Sequence, residues 1–451
     1  MVKSIIYRPE TLLVLTFGTL ILIGTALLQL PIAAAQPDEP LSLVDAGFTA
    51  TSAACVTGLI TRDTATAFSR FGQIVILILI QLGGLGIMSF GALAAQVFRL
   101  RISFTSQAAW QSVFFEGQKR GNLRRALRRI LLMTIVIEAF GALSLYAGLR
   151  NTDAPSGDGF EAVFLAISAF CNAGFSVYSD SAVGLRDSNL IIWTLMILIV
   201  AGGLGYTVLL ETGDRTWRRI RRRDQKAAVW SLQSKLVLKT SAALILVGAL
   251  ILLLTGLTAG EGPFTTRAIH ALFQSVTART AGFNTINIGA LPVASLLILM
   301  GLMFIGGSPG SCAGGIKTTT AGVWLARVRA RLRGREDVTL ENRCLPHDVV
   351  RRAALVLAIA ALWNALGIII LAITEGGRPN MPFEHLVFEQ VSAFGTVGLS
   401  AGLTPSLSLA GKLWIMATMF VGRLGPLTIA LAVLSPPRAL YKYPTERVMI
   451  G

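Results

Sequence analysis

The sequence predicts an all-α polytopic membrane protein. It is read as four helix–pore-loop–helix repeats, with eight spanning helices and four re-entrant pore loops, around one pseudo-fourfold central pore. Three observations carry this. The chain is 53% hydrophobic and only 14% charged, where soluble domains run about 25% charged. One octapeptide pattern recurs four times. Basic residues crowd every second connection.

The recurring pattern is clearest at Gln390–Ala401, Q-V-S-A-F-G-T-V-G-L-S-A. Aligned on one glycine, the four copies read S-A-A-C-V-T-G-L (Ser52–Leu59), S-A-F-C-N-A-G-F (Ser168–Phe175), V-T-A-R-T-A-G-F (Val276–Phe283) and S-A-F-G-T-V-G-L (Ser392–Leu399). The glycines Gly58, Gly174, Gly282 and Gly398 are separated by 116, 108 and 116 residues. Ten positions before each stands an aromatic or Leu: Phe48, Phe164, Leu272, Phe388. A fixed period of this kind means repeated structural units. The apolar run before each glycine is too short to cross a bilayer, which takes about 20 residues. Each is read as a short pore helix whose C-terminal dipole end faces a cation site. The residues that follow read as filter strips, Val56-Thr57-Gly58, Asn172-Ala173-Gly174, Thr280-Ala281-Gly282 and Thr396-Val397-Gly398. Filters of this type replace an ion's water shell by backbone carbonyls. Glycine lets neighbouring carbonyls face one way, because it takes φ > 0 without steric cost. The expected ion contact is K+ at these carbonyls only; no His, Cys or carboxylate cluster suggests another metal or a catalytic centre.

Taken in order, the repeats span residues 11–98, 128–214, 235–328 and 349–434, followed by a cytoplasmic tail, 435–451. The first apolar run, Thr11–Leu30, exceeds the 7–15 residues of a signal h-region and reads as a retained helix. Its repeat continues with a pore helix at Leu41–Cys55 and a second helix at Phe71–Phe98. Repeat two has helices at Ile130–Leu149, Phe160–Phe170 and Asn189–Leu210. Repeat three has Leu236–Leu257, Phe264–Ala278 and a broken helix from Leu291 to Val328. Repeat four has Val349–Ile373, Phe383–Phe394 and Leu409–Leu434. The three long connections, Arg99–Arg129, Arg215–Lys239 and Arg327–Arg352, carry 25 Lys or Arg, against seven on the filter side (Arg279 among them). Cytoplasmic loops are the basic ones. Both termini are therefore expected in the cytoplasm, the filters facing outward. The net charge of +16 is topology and not a nucleic-acid footprint.

A second motif follows each filter. Glycine clusters start at Gly83, Gly202, Gly306 and Gly422, offset by 25, 28, 24 and 24 residues from the filter glycines. Gly83–Gly86 and Gly202–Gly205 read as close helix packing. Gly306-Gly307-Ser308-Pro309-Gly310-Ser311-Cys312-Ala313-Gly314-Gly315 cannot be regular helix. Irregular backbone at membrane depth must be buried in protein or line a watery cavity. This segment, about residues 306–317, is read as a mobile gate below the filter. Lys317 would tether it or snorkel to the cytoplasm. In the fourth cluster Arg423 replaces a glycine. A charge there is costly; it would oppose cations under the filter or anchor the broken loop. Cys55 and Cys171, just before two filter glycines, read as small residues filling a turn.

Together these residues resemble the Trk/Ktr/HKT superfamily of potassium transporters, over essentially the whole chain. The carriers are the four glycine-terminated loops, G-G-S-P-G-S-C-A-G-G-I-K-T and G-R-L-G-P. The resemblance is nearest to Ktr-type membrane subunits, since the first repeat follows the start almost directly. It implies potassium uptake across the cytoplasmic (inner) membrane and a homodimer with one pore per protomer. It also implies a cytoplasmic ring of nucleotide-binding regulatory subunits whose ATP/ADP state sets the loop, and transport stimulated by Na+. No cofactor is expected on this chain. Membrane lipids are expected partners and nucleic acid is not. Only the fourth strip keeps T-V-G, which implies looser selectivity than in a symmetric channel. Two other classes fit the sequence less well. A solute transporter working by alternating access also uses broken helices but needs no four equivalent loops. An intramembrane enzyme would need a buried catalytic cluster, and Glu138 and Glu211 stand isolated.

Overall fold

The computed structural model describes residues 9–38, 40–97, 123–152, 159–220, 230–256, 262–378 and 381–433. The basic stretches 98–122 and 221–229 and the tail 435–451 lie outside the described residues. So do Lys3 and Arg8.

The described chain is helical apart from one short hairpin. Its helices are α1 (Pro9–Leu28), α2 (Leu43–Ala54), α3 (Arg70–Val97), α4 (Leu123–Leu149), α5 (Gly159–Phe170), α6 (Asn189–Leu204), α7 (Tyr206–Ile220), α8 (Leu232–Leu254), α9 (Phe264–Thr277), α10 (Val293–Phe304) and α11 (Thr318–Leu332). The antiparallel hairpin β1 (Thr339–Leu340) and β2 (Arg343–Cys344) follows. After it come α12 (His347–Glu375), α13 (Phe383–Gly395), α14 (Leu409–Leu424) and α15 (Pro426–Val433).

Packing follows the order of the chain. The helices α1, α2 and α3 pack on one another, as do α4, α5 and α6, and α12, α13 and α14; α8 packs on α9 and α10. Each of these groups then touches the next. The contacts are α3 on α5, α6 on α9, α10 on α13, and α14 back on α2. The last contact closes the arrangement, and Lys412 of α14 seals it with a 2.9 Å ion pair to Asp45 of α2.

Burial is inverted relative to a soluble protein. The short helices α2, α5, α9 and α13 are the core, with Phe48, Phe164, Phe273 and Phe388 fully buried. Long helices stand outside and turn Leu132, Ile135, Phe140, Leu143, Leu246, Leu250, Leu362 and Ile373 outward. So many outward-facing apolar side chains on the long helices mark a lipid-facing or partner-facing surface. Among the described residues three unbroken helices are long and apolar enough to cross a bilayer, 128–149, Leu232–Leu254 and His347–Glu375. Asn189–Leu204 with Tyr206–Trp217 makes a fourth if counted as one span, although the two are bent by 107°.

That bend is a departure from expectation. The sequence suggests one continuous helix, Asn189–Leu210, with Gly202–Gly205 packed inside it. The structure breaks it at Gly205, whose φ is +81°. Leu409–Leu434 is likewise split, at Gly425, with φ +89°. Both glycines take a backbone conformation that a helix interior does not allow. Arg423 therefore sits in the last turn of α14, not in mid-helix. The expected break in repeat three is present, between Phe304 and Thr318.

Candidate functional site

Each short core helix ends in the same backbone device. Two positions before the glycine, a non-glycine residue takes positive φ: Val56 (56°), Asn172 (59°), Thr280 (74°) and Thr396 (48°). The glycines do so too, Gly58 at 97°, Gly174 at 69°, Gly282 at 79° and Gly398 at 89°. For residues with a Cβ this is uncommon, and it persists only where the surroundings enforce it.

Hydrogen bonds supply the enforcement. The middle amide of each strip returns to its own helix. Thr57 donates to Ser52 O (2.8 Å), Ala173 to Ser168 O (2.7 Å) and Val397 to Ser392 O (2.9 Å). In the third strip Ala281 donates to Thr277 O, four residues back instead of five. The same one-residue shift puts Phe273, rather than Leu272, in the fully buried aromatic position. Ser52 Oγ also accepts the Gly58 N–H at 3.0 Å.

The four strips meet. A Cβ built on Gly58 would lie 3.1 Å from Gly174 Cα, and one on Gly174 2.9 Å from Gly282 Cα. One on Gly282 would lie 3.3 Å from Gly398 Cα, and one on Gly398 2.9 Å from Gly58 Cα. The neighbours are thus visited in chain order and the circle closes. In each case the nearest obstacle is the carbonyl oxygen of the adjacent strip's middle residue: Ala173, Ala281, Val397 and Thr57. No side chain fits on the glycines, because the space is already taken by backbone. The hydroxyls of Thr57 and Thr396 are buried without a hydrogen-bond partner among the described residues.

The irregular segment 305–317 lies directly against these strips. A Cβ on Gly314 would fall 3.0 Å from Thr396 Cβ, and one on Gly306 3.2 Å from Thr280 Cγ2. Both ends are pinned to each other, Gly306 N donating to Ile316 O at 2.9 Å. The middle is pinned to the broken α6–α7 junction. Ser308 N donates to Gly203 O (3.0 Å), Cys312 N to Gly202 O (3.3 Å), and Tyr206 N to Gly310 O (3.1 Å). The Gly205 break thus exists to receive this segment; a Cβ there would lie 2.9 Å from Pro309 O. Gly202 also packs against Phe170 O, as Gly83 does against Ala54 O and Gly422 against Phe394 O. The close-packing reading therefore fits Gly83 and Gly202, and Gly422 packs in the same way.

Arg423 is 1% exposed. Its Nη1 donates to Cys312 O and its Nη2 to Gly83 O, the latter at 2.6 Å. Lys317 Nζ donates to Ala313 O at 2.6 Å, so it ties the segment and does not reach away from it.

A family model described as "Cation transport protein", TrkH, matches residues 11–442. The chain belongs to this family. Among similar proteins, the potassium/sodium uptake protein NtpJ of Enterococcus hirae is 36% identical, across 98% of this chain and 97% of that protein. The Ktr system potassium uptake protein B of Bacillus subtilis is 35% identical, across 100% and 98%. The crystal structure of the potassium transporter TrkH from Vibrio parahaemolyticus has the same fold, with a TM-score of 0.71 over 95% of this chain and 85% of that one, at 19% identity. The protein is an integral membrane cation transporter and not an enzyme.

Within this TrkH-family chain, sequence reasoning misplaced Arg279. Its place in the chain puts it with the external basic residues, but it is 7% exposed. It occupies the position of Cys55 and Cys171, three before the glycine. Its guanidinium donates to Gly306 O (3.1 Å) and Ser241 O (3.4 Å). The irregular segment is thus held by an arginine at each side, Arg279 at Gly306 and Arg423 at Cys312. A charged residue in a motif register otherwise filled by small residues was the available signal. Glu389 was also missed. It is fully buried and accepts from Ser400 Oγ, Thr404 Oγ1 (2.8 Å) and Ala401 N (3.2 Å). These bonds fix the segment that leaves the fourth strip.

Proposed function

We propose that this protein carries K+ across the cytoplasmic membrane through a pore ringed by the strips 56–58, 172–174, 280–282 and 396–398, with 305–317 as its gate. The observation that carries the reading is the closed circle of four glycine strips. Adjacent strips present carbonyls to one another, and glycine is the residue type their spacing admits. Rings of backbone carbonyls select by replacing the hydration shell. The four helix–loop–helix repeats, 11–98, 128–214, 235–328 and 349–434, are the units that supply one strip each. The relatives named as potassium uptake proteins support K+ as the substrate, and the relative named for potassium and sodium supports Na+ as a second ion.

Segment 305–317 blocks the path because it abuts Thr280 and Thr396 and is fastened to three other parts of the chain. Arg423 is its anchor and adds positive charge below the filter. The basic connections face the cytoplasm and the filters face outward. A homodimer on a cytoplasmic nucleotide-binding ring, with ATP or ADP bound to that ring and Na+ as activator, completes the reading. It is supported by the resemblance to Ktr-type subunits. Rb+ uptake into proteoliposomes containing this chain, with K+ and Na+ as competitors, tests the filter. The same assay on a chain lacking Ser308–Gly314 tests the gate: uptake should rise, and unchanged uptake would remove the gating role.

A further inference from the structure

A cavity of about 350 Å3 lies where α11, the hairpin and the start of α12 come together. It is lined by Arg327, Arg331, Arg335 and Arg351, together with His347 and one carboxylate, Glu336. At about 30 Å3 per water, it has room for a phosphodiester group and several waters.

Four arginines against the single carboxylate of Glu336 leave the cavity with excess positive charge. None of the four arginines has an ion-pair partner among the described residues. The hairpin's own carboxylate is committed elsewhere. Glu341 is clipped to Lys239, and to Lys235 at 3.8 Å, both on α8. Asp337 faces His347 at 4.0 Å. Four guanidiniums lining one space favour an anion between them. The free amides that open the 29-residue helix α12 add to the attraction: its N-cap is Pro346, with no side-chain cap, and such an end favours anions. Guanidinium forks match phosphate oxygens in pairs.

Depth selects the kind of phosphate. Trp324 and Leu325, on the same helix, are 45% and 59% exposed. Tryptophan marks the level where acyl chains give way to head groups. Arg327 and Arg331 follow Trp324 by one and two helical turns, about 5 and 11 Å further along the axis. The cavity thus opens at head-group level on the basic side of the membrane, where basic pockets between helices take acidic head groups.

We propose that this cavity is a binding site for the phosphate head group of an anionic phospholipid of the inner leaflet. Occupancy ties α11, which directly follows the irregular segment, to α12. The proposal rests on the cytoplasmic placement of the basic connections, but not on the filter or the gate, and its test measures binding without transport.

The full chain, purified in mild detergent, is titrated with phosphatidylglycerol in mixed micelles, and binding is read by native mass spectrometry. Phosphatidylcholine and inorganic phosphate are the comparison probes. Phosphatidylglycerol is expected to bind and phosphatidylcholine is not. R331Q/R351Q should weaken phosphatidylglycerol binding roughly tenfold or more, the scale of losing charge-assisted hydrogen bonds. R329Q/R333Q removes the same charge from residues that do not line the cavity and should leave binding within about twofold. R331K/R351K keeps the charge without the fork and should weaken binding detectably. It carries the test if the glutamine variant misfolds. Equal losses in R331Q/R351Q and R329Q/R333Q, or wild-type affinity in R331K/R351K, overturn the site. Displacement of the lipid by millimolar inorganic phosphate overturns the lipid assignment in favour of a soluble phosphate.

Discussion

Arg423 and Cys312 are 111 residues apart, and the Arg423 guanidinium donates directly to the Cys312 carbonyl. Its other terminal nitrogen holds Gly83 O at 2.6 Å. One side chain from α14 therefore joins the irregular segment to α3. Replacing Arg423 with Ala leaves the buried Cys312 carbonyl without its donor, at about 1–3 kcal/mol, and strips the Gly83 carbonyl of its side-chain bond. The segment loses its anchor, so Rb+ uptake should rise and the midpoint of thermal unfolding should fall. Arg423→Lys, which keeps the charge but not the two separated guanidinium nitrogens, should lie between. Uptake unchanged in both variants would show that the anchor does not gate.

Arg279 holds the opposite side of the same segment, at Gly306. Arg279→Gln should raise uptake in the same direction, by a smaller factor, since bonds at Cys312 and Gly203 remain. Combining it with Arg423→Ala should give less than the product of the two effects, because both fasten one element. A fully multiplicative response in Rb+ flux would mean that the two arginines act on separate features.

Gly398 has φ +89° and faces Thr57 O of the neighbouring strip. Serine there adds about 1–3 kcal/mol of backbone strain and a collision with backbone. The carbonyl ring must open, and each 1.4 kcal/mol is a factor of ten in affinity. Gly398→Ser, and likewise Gly58→Ser, should lower the preference for K+ over Na+ by about tenfold. Competition of Na+ against Rb+ uptake reads this directly.

Lys412→Met removes the partner of Asp45, whose side chain is 7% exposed. Arg62 remains at 3.5 Å and Ser42 Oγ donates at 2.9 Å, so the cost should be about 1–3 kcal/mol rather than that of an isolated buried charge. The fall in thermal midpoint should be partly recovered by Asp45→Asn in the same chain.

The Lys239 ammonium, with Lys235, holds the Glu341 carboxyl below its ordinary value of 4.5. A depressed carboxyl stabilises the fold above its unfolded value and loses that contribution as pH falls through the folded value. The stability difference between the native chain and Glu341→Gln should therefore be present at neutral pH and be lost as pH falls below 4.5 and through the lower folded value. A difference that instead grew on acidification would contradict the pairing.

The short core helices were legible because a four-fold sequence repeat is visible without any structure, and their bounds fall within two residues of expectation. Positive φ at Gly58, Gly174, Gly282 and Gly398 followed from glycine's freedom. The same conformation at Val56, Asn172, Thr280 and Thr396 did not, since it is imposed by hydrogen bonds back to the helix against their own preference. The breaks at Gly205 and Gly425 were hidden for a related reason. A glycine inside an apolar run reads equally well as close packing or as a kink, and only the segment at 308–310 filling the space decides at Gly205. Arg279 departs from its expected place because position along the chain suggests an exterior connection, whereas the turn after α9 (Phe264–Thr277) buries it.

The most direct test of the four-strip ring is Rb+ uptake into proteoliposomes holding the chain without Ser308–Gly314, with K+ and Na+ as competitors. The account predicts robust uptake, blocked by K+ and only weakly by Na+. No cation uptake in this variant, or equal block by K+ and Na+, would contradict it.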